Sequence, residues 1–232
     1  DELREQVPLM KEVLQTMGVT VVEKGGYEAD DIIGTLAKEG EAKGYKVAVI
    51  SGDRDLLQLA TDNIMVRIPK TKTGGTVVED YLAKDVFDKY QVTPLEFIDL
   101  KGLMGDTADN IPGVPGIGEK TATKIITEYK SIENAYAHID DIKPNKAREN
   151  LKTYYDQAIF SKQLATIKLD CELDITVDDM DISDMFNEKS YEMFQMLELK
   201  SVLKKFDNMD KEITIEYDII SDFSEAELFV NK

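Results

Sequence analysis

Seven carboxylates in three short groups are the residues of this chain best placed to do chemistry. They are Glu28, Asp30 and Asp31 in GYEADD, Asp53 and Asp55 in SGDRD, and Asp106 and Asp109 in GDTADN. Oxygen-only donors suit hard divalent ions such as Mg²⁺ or Mn²⁺. One histidine and one cysteine in the whole chain leave too few ligands for a zinc site. Taken singly, each group has an ordinary explanation as a helix cap or a turn former. All three beside glycine breaks are better explained together. Like charges gathered in one cleft repel and raise one another's pKa. Two divalent ions ~4 Å apart would offset that cost and clamp an in-line phosphoryl displacement.

Directly after the third group comes GVPGIGEKTA, residues 113–122. Its glycines permit tight turns and close backbone approach. The helix expected next offers free N–H groups to an anion, and Lys120 adds charge. An ordinary helix–helix turn is the plain alternative. A Rossmann or P-loop reading fails, because no strand precedes the hinge and no GK[ST] follows it. With Ile111-Pro112 before it and Lys-Thr-Ala after it, the segment fits a helix–hairpin–helix, which grips DNA backbone without reading sequence.

The elements that must position these groups follow from periodicity. Residues 1–17 predict an amphipathic helix, with Leu3, Val7, Met10, Leu14 and Met17 on one face. Residues 19–23 read as a short β-branched strand, 28–42 as a helix, 46–50 as a buried strand and 56–60 as a helical turn. A hairpin is expected from strands 63–68 and 76–79 around a 70–75 turn. Alternating strands and helices predict a partly parallel α/β sheet up to about residue 80. Helices are expected beyond it at 83–90, 94–104 (with Pro94 at its start), 118–129, 132–138 and 144–160. Residues 166–177 look less regular, and 191–206 supplies one or two short helices. Residues 212–220 alternate like a strand and 224–231 begin like a helix.

No apolar run approaches the ~20 residues that span a bilayer. Cys171, the lone cysteine, reads as a half-buried small hydrophobe and fits a reducing compartment. A net charge of −18 argues at first against a nucleic-acid partner. Its distribution weakens the objection: residues 168–232 carry 18 acidic and 7 basic side chains, leaving only −7 for the rest. The seven clustered carboxylates account for that remainder. Lys120, Lys124 and Lys130 follow the hinge, and Lys143, Lys146, Arg148 and Lys152 crowd one later stretch.

On GYEADD at 26–31, SGDRDLLQL at 51–59 and LMGDTADNIPGVPGIGEKTA at 103–122, the chain resembles a known family. This is the 5′-nuclease (5′→3′ exonuclease) domain of bacterial DNA polymerase I, related to phage 5′ nucleases and flap endonucleases. The similarity runs from residue 1 to about 206. It implies a partly parallel, PIN/resolvase-like α/β sheet with flanking helices, then a mainly helical part containing the helix–hairpin–helix. The implied division is a nuclease core at 1–110, a helical DNA-binding part at 111–206 and the start of an exonuclease-like domain at 207–232.

The implied activity is hydrolysis of DNA phosphodiesters near 5′ ends and flaps with two or more Mg²⁺ or Mn²⁺ ions. Glu28, Asp30, Asp31, Asp53, Asp55, Asp106 and Asp109 would be direct or water-mediated metal ligands. All of these but Glu28 would form the catalytic group. Gly113, Gly116, Ile117, Gly118, Lys120, Thr121 and Lys124 would bind duplex DNA, with a K⁺ ion on the hinge carbonyls. The implied partners are duplex DNA with a 5′ end or flap and the polymerase domains of the same parent chain. A monomer in the bacterial cytoplasm, at the nucleoid, is the implied setting.

The family also carries an Asp-Gly-Asn strand, a further metal-binding Asp and a basic helical arch ahead of this region. Their lack before Asp1 implies on the order of 85 missing residues and weak or no activity for the fragment alone. Two other readings stand beside this one. A catalytically silent duplex-DNA-binding module would keep the hinge and lose the chemistry. An acidic metal-dependent phosphatase acting on small molecules would leave the hinge idle.

Overall fold

The computed structural model describes residues 2–73, 75–182 and 184–209. In chain order the elements are α1 (Glu2–Thr16), α2 (Ala29–Ala42), β1 (Val47–Ile50), β2 (Ile64–Lys72) and β3 (Gly75–Tyr81). They continue as α3 (Ala83–Tyr90), α4 (Pro94–Met104), α5 (Glu119–Tyr129), α6 (Ile132–Ala137), α7 (Asn145–Thr153), α8 (Tyr155–Ala165), α9 (Glu188–Met196) and α10 (Lys200–Leu203). The chain forms two compact units, one of residues 22–181 and the other of 1–21 with 182–232. The expected strand at 212–220 and helix at 224–231 lie outside the described residues.

The larger unit is built on a three-stranded sheet in the order β1-β2-β3. β1 runs parallel to β2, with Val47 opposite Ile64 and Ile50 opposite Arg67. β2 and β3 form an antiparallel hairpin. Ile64, Val66 and Ile68 alternate into the core while Arg67 points out and pairs with Asp80 across the ladder. The hairpin strands are longer than the sequence predicts, β2 running on to Lys72 and β3 starting at Gly75, inside the expected 70–75 turn. Residues 19–24 form no strand, contrary to expectation. Val, Thr and Val favour extended backbone, but a strand needs a partner, and none among the described residues pairs there.

α4 is the central helix of this unit. Thr93 caps it by accepting from the Glu96 N–H, and Glu96 returns the bond to the Thr93 N–H. Pro94 opens it, and Gly105 at φ 72° ends it. Phe97, Leu100 and Leu103 are buried, and so are the polar Asp99 and Lys101. Asp99 is partnered: its Oδ1 accepts from the Ile132 N–H and pairs with Lys162 at 2.7 Å. The single helix expected at 144–160 is two, α7 and α8, broken at Tyr154 where φ is −114° and ψ 26°.

In the smaller unit Asn187 caps α9 through the Ser190 N–H and donates to the Thr16 carbonyl at the end of α1. Phe206 is buried edge-to-face against Phe186, Tyr191 and Phe194.

Candidate metal centre

The second acidic group sits where α/β sheets present functional loops, just past the C-terminal end of β1. There the Asp53 carboxylate accepts from the Asp55 N–H at 2.8 Å, and the Asp53 N–H is held by the Ser51 hydroxyl. This turn leads into a 3₁₀ helix, Asp55–Leu59, whose Leu56, Leu57 and Leu59 are buried. Gln58 locks that helix in place. It donates to the Ala165 and Asp55 carbonyls and accepts from the Ile167 N–H. Asp55 is thereby fixed beside Lys101 in the last turn of α4.

The third group lies in a tight loop between α4 and the hinge. Asp106 and Ile111 form an isolated antiparallel bridge, exchanging bonds of 2.9 and 2.8 Å. Asp106 Oδ1 accepts from the Ala108 N–H, which points the carboxylate back toward Asp55. Carboxylate oxygens of Asp55, Asp106 and Asp109 all fall within 4.8 Å of one another. They line one cleft of about 480 Å³, together with Asp53, Lys101, Tyr90, Phe97, Met104 and Glu119.

The first group divides. Burial, then the charges of Asp53, Asp55, Glu28 and Asp31, push the Asp30 carboxyl up to about 6. Asp31 is committed to structure instead. One of its oxygens accepts from the Glu28 N–H at the start of α2, the other from the Lys168 N–H. Glu28 is the exposed N-cap position of that helix. The three-residue spacing that puts Glu28 and Asp31 on one face thus describes a helix start.

Lys101 was not among the residues the sequence singled out. Its ammonium is buried, 5% exposed, and forms ion pairs with Asp106 and, at 2.6 Å, with Asp55. Contact with Asp106 lowers that carboxyl's pKa. Asp55 stays raised, because burial outweighs the lysine's pull and the charges of Asp53 and Asp109 add to it. The Asp55 contact is ionic but not aligned for a hydrogen bond, and the buried Oδ1 has no hydrogen-bond partner. A buried carboxylate oxygen with spare lone pairs, among acidic neighbours, fits a cation site.

A pH dependence follows. The folded protein holds the Asp30 proton to higher pH than the unfolded chain does. This site's contribution to stability is therefore present below the ordinary carboxylate range and lost as pH rises through about 6. Cation binding runs the other way, since a ligating carboxylate must be ionised. Calorimetric titration is expected to show Mn²⁺ affinity falling about tenfold between pH ~7 and ~5, and Asp30→Asn should flatten that slope. A wild-type affinity independent of pH over that range contradicts it.

The hinge is held from behind. Gly113 donates to the Ser161 hydroxyl and accepts from the Gln157 amide; Asn150 donates to the Pro115 carbonyl at 2.6 Å. Val114 and Ile117 are core residues. Of the residues expected to touch DNA, Gly113 and the Ile117 side chain are therefore buried and position the loop from inside. Gly116, Gly118, Lys120 and Lys124 are exposed, and Thr121 is half-buried. Lys146 on α7 comes beside Gly116 and extends the basic edge. Asn150, Gln157 and Ser161 carry no motif that sequence reasoning could have caught.

Two family descriptions match adjoining parts of the chain, together residues 1–188. "5′-3′ exonuclease, N-terminal resolvase-like domain" covers residues 1–91, and "5′-3′ exonuclease, C-terminal SAM fold" covers 92–188. The chain is 46% identical over 211 residues to DNA polymerase I of Bacillus caldotenax, covering 91% of this chain and 24% of that protein. It is 50% identical over 204 residues to DNA polymerase I of Geobacillus stearothermophilus, covering 88% and 23%. The chain thus spans about a quarter of the length of these curated relatives. Among solved structures it is similar to the T5 5′-exonuclease described with divalent metal ions (zinc) bound. That match has a TM-score of 0.54 and 26% identity, over 73% of this chain and 60% of the other.

Proposed function

This chain belongs to the 5′-3′ exonuclease family, and on that premise we propose that it hydrolyses DNA phosphodiesters at 5′ ends and flaps as the 5′ nuclease of a bacterial DNA polymerase I. One observation carries the reading. The Asp55–Asp106–Asp109 group and the 113–118 hinge belong to one compact unit, and the Asp106–Ile111 bridge ties the loop that bears Asp106 and Asp109 to the segment just before the hinge.

Asp55, Asp106 and Asp109 would hold one divalent ion, with Asp30 and Asp53 placed to complete a second position; Glu28 and Asp31 would act through water or through the helix start. Mg²⁺ or Mn²⁺ bound there would polarise the phosphate and neutralise charge on the oxygens that change partners. The chain's own part is positioning. The N–H groups at the start of α5, the Gly116–Gly118 backbone and Lys120 and Lys124 hold a backbone phosphate, and a K⁺ ion on the hinge carbonyls would add to that grip. Tyr90, Phe97 and Met104 wall the cleft on its apolar side and limit water there. We further propose that 1–110 carries the chemistry and 111–206 the duplex grip, within a monomeric cytoplasmic protein whose polymerase domains follow.

Lys120→Ala is expected to weaken duplex binding uniformly across sequences and to reduce the salt slope of log K by about 1, read by fluorescence anisotropy between low and moderate salt. An unchanged slope removes Lys120 from the interface. The enzyme and the silent DNA-binding module part on Mg²⁺: flap cleavage that needs the ion supports the first, and DNA binding indifferent to the ion, without turnover, supports the second.

A further inference from the structure

The buried ammonium of Lys101 occupies the same two carboxylates that, with Asp109, make the three-carboxylate group. A lysine sealed in a core purely for architecture is normally matched by aligned hydrogen bonds. Asp99, two residues earlier on α4, shows one such match: the oxygen that meets the Lys162 ammonium also accepts a main-chain N–H, from Ile132. The Asp55 oxygen that meets Lys101 has no such donor, and Oδ1 is left buried without a hydrogen bond. Two half-buried carboxylates this close would repel with no cation between them, so a positive charge there is favourable. A divalent ion taking oxygens from Asp55 and Asp106 would meet a like charge at ion-pair distance. Lys101 also lines the open cleft, and a four-carbon stem with free rotors can carry its head there.

We propose that Lys101 is the resident counter-cation of the metal-free site: its ammonium holds Asp55 and Asp106 together until a divalent ion claims their oxygens, and metal binding then expels it into the cleft. Lys101 is on this account a positioning residue, and metal loading is a cation exchange. The inference rests on the reading of the acidic group as a cation site.

The test uses the full-length protein that carries this chain, with free Mn²⁺ counted by electron paramagnetic resonance and unfolding followed by calorimetry. Lys101→Met is expected to bind Mn²⁺ at least about tenfold more tightly than wild type, because no ammonium competes. Without metal its Tm should fall by about 6 °C or more, and saturating Mn²⁺ should close most of that gap. Equal or weaker Mn²⁺ binding by Lys101→Met, or the same Tm loss with and without metal, overturns the proposal. A second arm needs no variant: acylation of Lys101 in the wild type, read by mass spectrometry, should be several-fold faster in Mg²⁺ than in chelator, with exposed lysines such as Lys120 unchanged. Unaltered protection of Lys101 overturns the proposal even where Lys101→Met does not fold. A wild type that binds no Mn²⁺ sinks the cation-site reading itself, whereas a wild type that binds Mn²⁺ beside a weaker-binding variant sinks this inference alone.

Discussion

Asp106→Asn is expected to cut the rate of 5′-flap cleavage by about 10³-fold or more, measured in single-turnover assays with saturating Mg²⁺. The substitution keeps the shape of the side chain and an oxygen for the Ala108 N–H, and the bridge to Ile111 is main chain, so the loop survives. What it removes is one negative charge from the three-carboxylate group and one of the two partners of Lys101. Asp53→Ala probes the neighbouring turn, whose carboxylate both faces Asp30 and holds the Asp55 N–H. It should also lose most activity. Undiminished cleavage in both variants would sink the site assignment.

Gly113→Ala is expected to cost about 3 kcal/mol or more of stability, enough to lower Tm by some 6 °C or more in thermal unfolding. A Cβ there would lie 2.3 Å from the Gly105 nitrogen and 2.6 Å from the Met104 carbonyl carbon, both backbone. The residue also sits at φ 60°, where side chains are strained. Gly105 meets it from the other side, and its own Cβ would fall 2.7 Å from the Ile111 oxygen. Neither strand of this crossing can give way, because one carries Asp106 and the other the hinge. The other glycines of the same motif should behave differently. Gly116→Ala meets only the end of the Asn150 side chain at 3.0 Å, though φ is +78°, so its cost should be nearer 1 kcal/mol. Gly118→Ala meets nothing and should leave stability unchanged. Equal losses at all three positions would contradict this account of the loop.

Much of this molecule could be read from its residues, for reasons that are local. The box at Thr93 and Glu96 with Pro94, and the stop at Gly105, fix α4 by short-range hydrogen bonds and backbone sterics. Asp53 and Asp55 were placed by the general rule that functional loops follow strand ends. The misses are tertiary. The β-branched run at 19–23 has strand propensity but no neighbour, and propensity alone does not make a ladder. The spacing of Glu28 and Asp31 does not reveal the bonds that Asp31 makes, one to a main-chain N–H three residues back and another to that of Lys168, 137 positions away.

Lys101 is the most instructive omission. In IDLKGLM a lone lysine suggests a solvent-facing position, yet apolar residues surround it on every face of α4. A helix apolar all round is buried, so a charge inside one must be paired. The acidic residue five positions on was the available clue. Asn150, Gln157 and Ser161, which hold the hinge from behind, left no comparable trace in their spacing.

The most direct test of the central claim is cleavage of a 5′-labelled flap duplex by the full-length protein that carries this chain, in Mg²⁺ and in chelator. The account predicts cutting near the junction that stops on chelation and returns with Mg²⁺ or Mn²⁺. Duplex bound equally well in both conditions and never cut would contradict it, leaving a hinge that grips DNA beside carboxylates that do no chemistry.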